Sequence, residues 1–175
     1  MNFRFNPKDL DILTDRNFFN KKINETKYIT LHYDEKWSNK TYISKYVDIE
    51  PSKEQLLSLI NNIRYKSNDQ IIITTGVNTP EILKNTFSEI NNQNIKLIES
   101  LNFKELEKIV SRSKLLISCH GAISHVASAY NIRQIDIIDN NSKEPYSNWT
   151  DHFRNYFPIY RKKFSTLSEE ITKLL

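Results

Sequence analysis

The chain has 175 residues, with 25 Lys and Arg against 21 Asp and Glu, a formal net charge of +4 and a pI near 9.0. That length suits one domain with a substantial buried core, and the single Cys119 excludes an internal disulfide and a cysteine-based structural zinc site. No run approaches the ~18 apolar residues of a membrane span, and the N-terminus MNFRFNPKDL lacks the apolar core of a signal peptide, so the chain reads as cytoplasmic, with at most a peripheral role at a membrane.

Residues 1–27 form a lead-in segment without a clear periodic pattern, and 28–175 form the domain. YITLHY (28–33) predicts a first strand, followed by a polar and aromatic stretch that carries Lys36, Trp37 and Lys40. A helix is expected from Ser52, with Gln55 as its capping-box partner and Leu56, Leu57, Ile60 and Ile63 on one face. QIIITT (70–75) is β-branched enough for a second strand, after which Thr79 is expected to cap a helix with Pro80 at its first position and Glu81 in its first turn. IKLIE (95–99) gives a third strand, and Asn102 with Glu105 opens a helix striped by Phe103, Leu106, Ile109 and Val110. KLLIS (114–118), a small-residue helix ISHVASAYN (123–131) and a strand QIDIID (134–139) follow. The tail reads as irregular and aromatic through Tyr146, Trp149, Phe153, Tyr156, Phe157 and Tyr160, and ends in a helix capped by Thr166 and Glu169. Strands alternating with helices at this spacing predict a Rossmann-like three-layer α/β/α domain with a parallel sheet of about five to six strands.

Both glycines of the chain, Gly76 and Gly121, directly follow apolar strands. Glycines so placed point to tight turns or close approaches at the carboxyl edge of the sheet, where open α/β sheets bind ligands. The turn CHGAISH (119–125) would present helix N-terminal amides to an anion, with His125 able to donate from the first turn; the alternative is that His125 is a polar first-turn residue and Gly121 only a turn residue. The basic residues are dispersed, which argues against nucleic acid as the main partner and is compatible with a phosphorylated small ligand.

Other residues carry paired readings as well. Cys119 beside His120 is either an activated nucleophile or a small buried residue, and adjacent residues on an extended segment face opposite ways, which favours the second. His32 either reaches the ligand edge or bonds locally. Asp136 and Asp139 stand three apart on a strand, hence on opposite faces, which argues against a paired-carboxylate metal site; no metal or cofactor is expected. The aromatic tail either stacks on bases or seals a core or interface. Four sequons, at Asn24, Asn39, Asn140 and Asn148, are chance matches in an Asn-rich chain.

The segment ISCHGAISHVASAYNIRQIDIID, with the upstream FKELEKIVSRSKLLIS, resembles the C-terminal donor-binding domain of the heptosyltransferase-like glycosyltransferases, glycosyltransferase family 9, which transfer sugars in lipopolysaccharide synthesis. The family fingerprint is an apolar strand, an Asp-Ser/Thr-Gly turn and a His three residues after the Gly. With His125 on the family His, Ala122 falls on the Gly, Gly121 on the Ser/Thr and His120 on the Asp. The resemblance extends more weakly over residues 28–140. It makes Lys40 the first candidate and Lys36 the second for a lysine on the diphosphate, gives Glu81 the ribose and Leu101 the base.

What the resemblance implies is one half of a GT-B fold that binds a nucleotide diphosphate-sugar. A separate or missing N-terminal domain would then carry the glycan or lipid-linked acceptor and the catalytic base, whose residue is unknown here. This chain alone is expected not to transfer sugar. His120 in place of Asp exchanges an acceptor-only group for one that can donate, and Ala122 in place of Gly adds a Cβ at the turn. A non-catalytic binding or interaction module on the same scaffold is therefore the alternative, with a nucleic-acid-binding protein third.

Overall fold

A computed structural model describes residues 28–38, 46–140 and 143–175; the lead-in segment 1–27 and Lys40 lie outside the described residues. Six strands, β1 (Tyr28–His32), β2 (Ile71–Thr74), β3 (Ile95–Ile98), β4 (Ser113–Cys119), β5 (Arg133–Ile138) and β6 (Tyr156–Tyr160), form one sheet in the order β3-β2-β1-β4-β5-β6. Every neighbouring pair is parallel. Among the described residues the helices are α1 (Lys53–Ser67), α2 (Glu81–Phe87), α3 (Phe103–Val110), α4 (Ala122–Ala129), α5 (Lys143–Thr150) and α6 (Phe164–Lys173), with a short 3-10 turn at Glu35–Trp37. The expected Rossmann-like α/β/α class, resembling one half of a GT-B fold, is the observed one. The sheet has six strands, the upper end of the expectation.

Parallel strands covered on both faces need apolar residues on both, so they read as continuous runs rather than alternating ones. β2, with the sequence IIIT, is buried at every position. One face of the sheet is covered by Leu56, Leu59, Ile60 and Ile63 of α1 together with Phe164, Leu167 and Ile171 of α6. The other carries Leu106 and Val110 of α3 and Ile123 and Ala127 of α4, packed on Leu116. The capping boxes at Ser52/Gln55 and Asn102/Glu105 form with both reciprocal hydrogen bonds, each satisfying two amides that a bare helix end would leave open.

The structure departs from the sequence reading at three places. Pro80 is the N-cap of α2 and Glu81 its first residue; Thr79 does not cap the helix, because its hydroxyl lies 3.2 Å from the Thr75 hydroxyl. α6 begins at Phe164 rather than after Thr166, with Lys163 as N-cap and no side-chain cap, since burial of Phe164 extends the apolar stripe by a turn. The tail is also more regular than expected. Its aromatic stretch contains α5 and the edge strand β6.

Neighbouring strands β1 and β4 send their chains to opposite sides of the sheet, so the order reverses between them. At such a switch point the two outgoing loops part and leave a crevice over the strands' carboxyl ends.

Candidate functional site

The loop leaving β1 is organised around a buried carboxylate. Asp34 is 3% exposed; its Oδ1 accepts the Lys36 amide at 3.1 Å, and its Oδ2 accepts Lys36 Nζ at 2.7 Å while lying 3.4 Å from His32 Nε2. His32 is held from its other side, with Nδ1 3.0 Å from the Thr74 hydroxyl. His32 thus bonds locally and also lines the cleft at the strand ends. Trp37 plugs the loop onto the core, fully buried, with its indole N–H donating to the His32 carbonyl at 2.9 Å. Arg161, at the end of β6, reaches across and donates to the Lys36 carbonyl at 2.8 Å and the Val47 carbonyl at 3.0 Å. It is 4% exposed, and it ties the loop to the far side of the switch point.

Burial by itself would raise the Asp34 carboxyl, but the hydrogen bond and charge of His32 and the ammonium of Lys36 outweigh it and hold the group below the ordinary carboxylate range. Burial would lower Lys36, and the same carboxylate outweighs it and pushes the ammonium up. A carboxyl depressed in the fold contributes stability that is present above its unfolded value of about 3.9 and is lost as pH falls through the lower folded value. Asp34→Asn is therefore expected to remove part of the acid limb of a stability-versus-pH curve measured by chemical denaturation below about pH 4. An acid limb superimposable on that of the parent protein would contradict the pairing.

The loop leaving β4 is the turn singled out by the sequence. Gly121 has a φ of 175°, an extended conformation open to any residue, so it is not there for a left-handed turn. Its function is room. A Cβ built on Gly121 would stand 2.9 Å from Lys36 Nζ, so the absence of a side chain lets the β1 loop and the β4 turn close on one another. The His120 amide continues the sheet ladder to the Ile137 carbonyl, and the Gly121 amide meets the Ser124 hydroxyl at 3.3 Å. Helix geometry leaves Ala122 and Ile123 as the amides of this turn without an intrahelical acceptor, and Ala122 is exposed at the first position of α4.

Beneath the turn lies Asp136, fully buried on β5. Its Oδ2 is 2.5 Å from His120 Nδ1 and accepts the Tyr156 hydroxyl at 3.1 Å, while Oδ1 accepts the Ser124 hydroxyl at 2.8 Å. His125 sits one helical step further out, its ring 5.6 Å from that of His120, 6.3 Å from that of His152 and 5.1 Å from that of Phe153. Burial first, then the neighbouring His120 and His152, lower the pKa of His125 against a weaker opposite pull from Asp136.

Cys119 is buried, and burial, reinforced by the Asp34 charge, pushes its thiol up against the opposing effect of Arg161 and Lys36. A buried thiol held protonated is a poor nucleophile, which supports the small-buried-residue reading over the activated-nucleophile one. The native protein is expected to leave Cys119 unmodified by an aromatic disulfide reagent on a timescale at which the guanidinium-unfolded chain reacts completely. Fast stoichiometric labelling of the native protein would contradict this.

A cleft of about 700 Å³ opens beside the turn at the carboxyl ends of β1 and β2. Its lining includes Gly76, Pro80, Glu81, Leu101 and Phe103, with Asp34 at its inner margin. Gly76 stands at this lip, where a Cβ would come within 3.3 Å of Glu35 Oε2. Four carboxylates, Asp34, Glu35, Glu50 and Glu81, border the cleft, and among the described residues no lysine or arginine does. It therefore suits hydroxyl and N–H donors on an apolar floor rather than phosphate. The basic groups Lys36 and Arg161 border a separate hollow of about 20 Å³ together with His120, and Asp34 joins the two regions by lining the cleft and holding Lys36.

Comparison with solved structures finds the same fold in larger enzymes. Methanocaldococcus jannaschii UDP-GlcNAc 2-epimerase, solved with UDP-GlcNAc and UDP, matches with a TM-score of 0.57 and 20% identity over 95% of this chain and 44% of its own. The E. coli heptosyltransferase WaaC with ADP matches with a TM-score of 0.58 and 12% identity over 90% and 47%, and E. coli ADP-heptose lps heptosyltransferase II with 0.58 and 13% over 98% and 52%. The likeness is one of fold. This chain spans about half the length of each of these enzymes. No family model matches the sequence, and no curated protein does.

The residues named from sequence thus fall into two neighbouring groups. Glu81 and Leu101 line the cleft, whereas Lys36, His120, Gly121, Ala122 and His125 gather at the β1–β4 junction. Sequence reasoning missed Asp136 as a partner of His120, Tyr156 as a third ligand of that carboxylate and Arg161 as the strap on the β1 loop. Asp136 carried a usable signal. It pairs with Ser118 in register across β4 and β5, and His120 lies two residues beyond Ser118, on the same face. No helix among the described residues is long and apolar enough to cross a membrane.

Proposed function

We propose that residues 28–175 are a nucleotide diphosphate-sugar-binding domain, the donor half of a heptosyltransferase-like glycosyltransferase, with 1–27 as its lead-in. The observation that carries this reading is the junction of Lys36 with Gly121 at the switch point of the sheet, directly beside a cleft of nucleoside size. The diphosphate would lie over the Ala122 and Ile123 amides, with His125 and Lys36 as cationic or donor groups and Lys40 as a further lysine. The nucleoside would enter the cleft, its ribose hydroxyls donating to Glu81 and its base lying on Leu101. Positive potential fixed in advance at this junction stabilises a departing nucleotide diphosphate without a covalent intermediate. A separate acceptor-binding half would supply the glycan or lipid-linked acceptor and the base. The reaction class is sugar transfer, in a cytoplasmic setting, and lipopolysaccharide assembly is the process this reading favours.

Calorimetric titration with UDP, ADP and their sugar conjugates, alongside His125→Ala, tests the reading. Saturable binding weakened at least tenfold by the substitution is expected, and the tighter nucleoside identifies the base. Silence across the panel from a folded protein favours the second reading, a non-catalytic binding module. That reading draws on the internal pairing of Lys36 with Asp34 and on the exposed Trp149.

A further inference from the structure

We propose that Asp136 is a positioning residue for His120, and that an anion bound at the 119–125 turn takes up one proton with it on His120 Nε2. The inference rests on the nucleotide-binding reading for its ligand, and on the geometry of this chain for its chemistry. An ionised carboxylate can only accept, so at 2.5 Å from Asp136 Oδ2 the Nδ1 atom of His120 must carry the hydrogen. Nε2, across the ring, is turned away from the carboxylate. The His120 side chain is 9% exposed and lines the small hollow beside the Gly121 turn.

Asp136 is satisfied without a ligand, by His120, Ser124 and Tyr156. Through Ser124 it also holds the Gly121 amide. One buried carboxylate therefore sets both the imidazole and the backbone of the turn. Neutral His120 offers a lone pair at Nε2, which repels a phosphate oxygen; protonated, the same atom becomes a charge-assisted donor. The step is an N–H bond formed at Nε2 with a proton from bulk buffer, and no ligand bond breaks.

The groups facing His120 are Asp136 of β5, His125 of α4, Tyr146 of α5 and Tyr156 of β6, with Lys36, Arg161 and Asp139 around the adjoining hollow. The Tyr146 ring meets the imidazole edge-on at 4.6 Å and fixes its plane.

Two measurements on the whole chain test the proposal, and they fail independently. In ligand-free protein, long-range 1H–15N correlation of the histidine rings is expected to show His120 as the Nδ1–H tautomer at high pH; Asp136→Asn should disturb that signature. An Nε2–H tautomer in the parent protein would overturn the positioning role whether or not the variant folds. Inorganic pyrophosphate and UDP are then titrated between pH 8 and 6, the span in which imidazoles usually change charge. Affinity rising with acidity by up to tenfold per pH unit, with buffer-dependent enthalpy reporting about one proton taken up, is expected from single-proton linkage; in His120→Gln this component should vanish. A flat profile in the parent protein, or an unaltered one in His120→Gln, overturns the proton uptake. If neither probe binds at any pH, the nucleotide-binding reading and the uptake fall together, while the tautomer result still decides the positioning role.

Discussion

Asp136→Ala is expected to lower the melting temperature by roughly 10 °C, more than any single change at the surface of the turn. The carboxylate is fully buried and serves three donors on three elements, His120 at the end of β4, Ser124 on α4 and Tyr156 on β6. Removing it leaves all three without their acceptor, at a cost of about 1–3 kcal/mol for each buried group left unsatisfied. Burial, helped by the adjacent Asp136 charge, pushes the Tyr156 phenol well above its ordinary value, so its hydroxyl stays protonated and needs an acceptor. Ser124→Ala is the comparison. It forfeits two hydrogen bonds, the one given to Asp136 and the one taken from the Gly121 amide, and should cost about 2 kcal/mol. If thermal denaturation finds the two variants equally stable, the carboxylate is not the hub described.

Trp37→Ala is expected to destabilise the protein by about 3–5 kcal/mol, the usual cost of emptying a buried aromatic site. The indole is fully buried, stacked on Tyr33 with centroids 4.9 Å apart and tilted against Phe164 at 6.4 Å. Trp37→Phe separates the two contributions, since it keeps a ring against Tyr33 and loses the hydrogen bond to the His32 carbonyl, itself worth about 1 kcal/mol. Packing should dominate, with the Phe variant retaining more than half of the lost stability. The same residue holds Lys36 in place from the next position along the chain, so under the proposed nucleotide-binding function affinity should fall in the alanine variant even below its melting temperature. Denaturant titration of both variants gives the comparison, and equal losses for Phe and Ala would assign the effect to the hydrogen bond.

Much of the architecture was legible because its signals are local. The runs around Ile71–Ile73 and Leu115–Ile117 are apolar on both faces, as a covered parallel strand requires, and the capping boxes at Ser52 and Asn102 announce their helices within four residues. β6 was not legible. Its YFPIY carries a proline and rings that also suit a loop, and only its pairing beside β5, with Pro158 opposite Asp136, makes it a strand. α5 was hidden for a similar reason, because a proline near its start reads as a break although a first turn tolerates one.

At the candidate site the residues with unusual local context were visible, and their partners were not. Gly121 and His120 stand out in the sequence of the turn, yet the reason for Gly121 is Lys36, eighty-five positions earlier and across the switch point. Arg161 is further still from the carbonyls it holds. Such contacts depend on strand order, which a pattern of alternating strands and helices leaves open between several arrangements.

The proposed function requires a diphosphate at the β1–β4 junction. Backbone 1H–15N spectra recorded during titration with UDP and ADP test that most directly. The largest shifts are expected at the Gly121, Ala122 and Ile123 amides and at Lys36, with a second set around Glu81 and Leu101. Saturating shifts confined to the outer edge at Phe157 and Leu174, or none in this region at millimolar nucleotide, would contradict it.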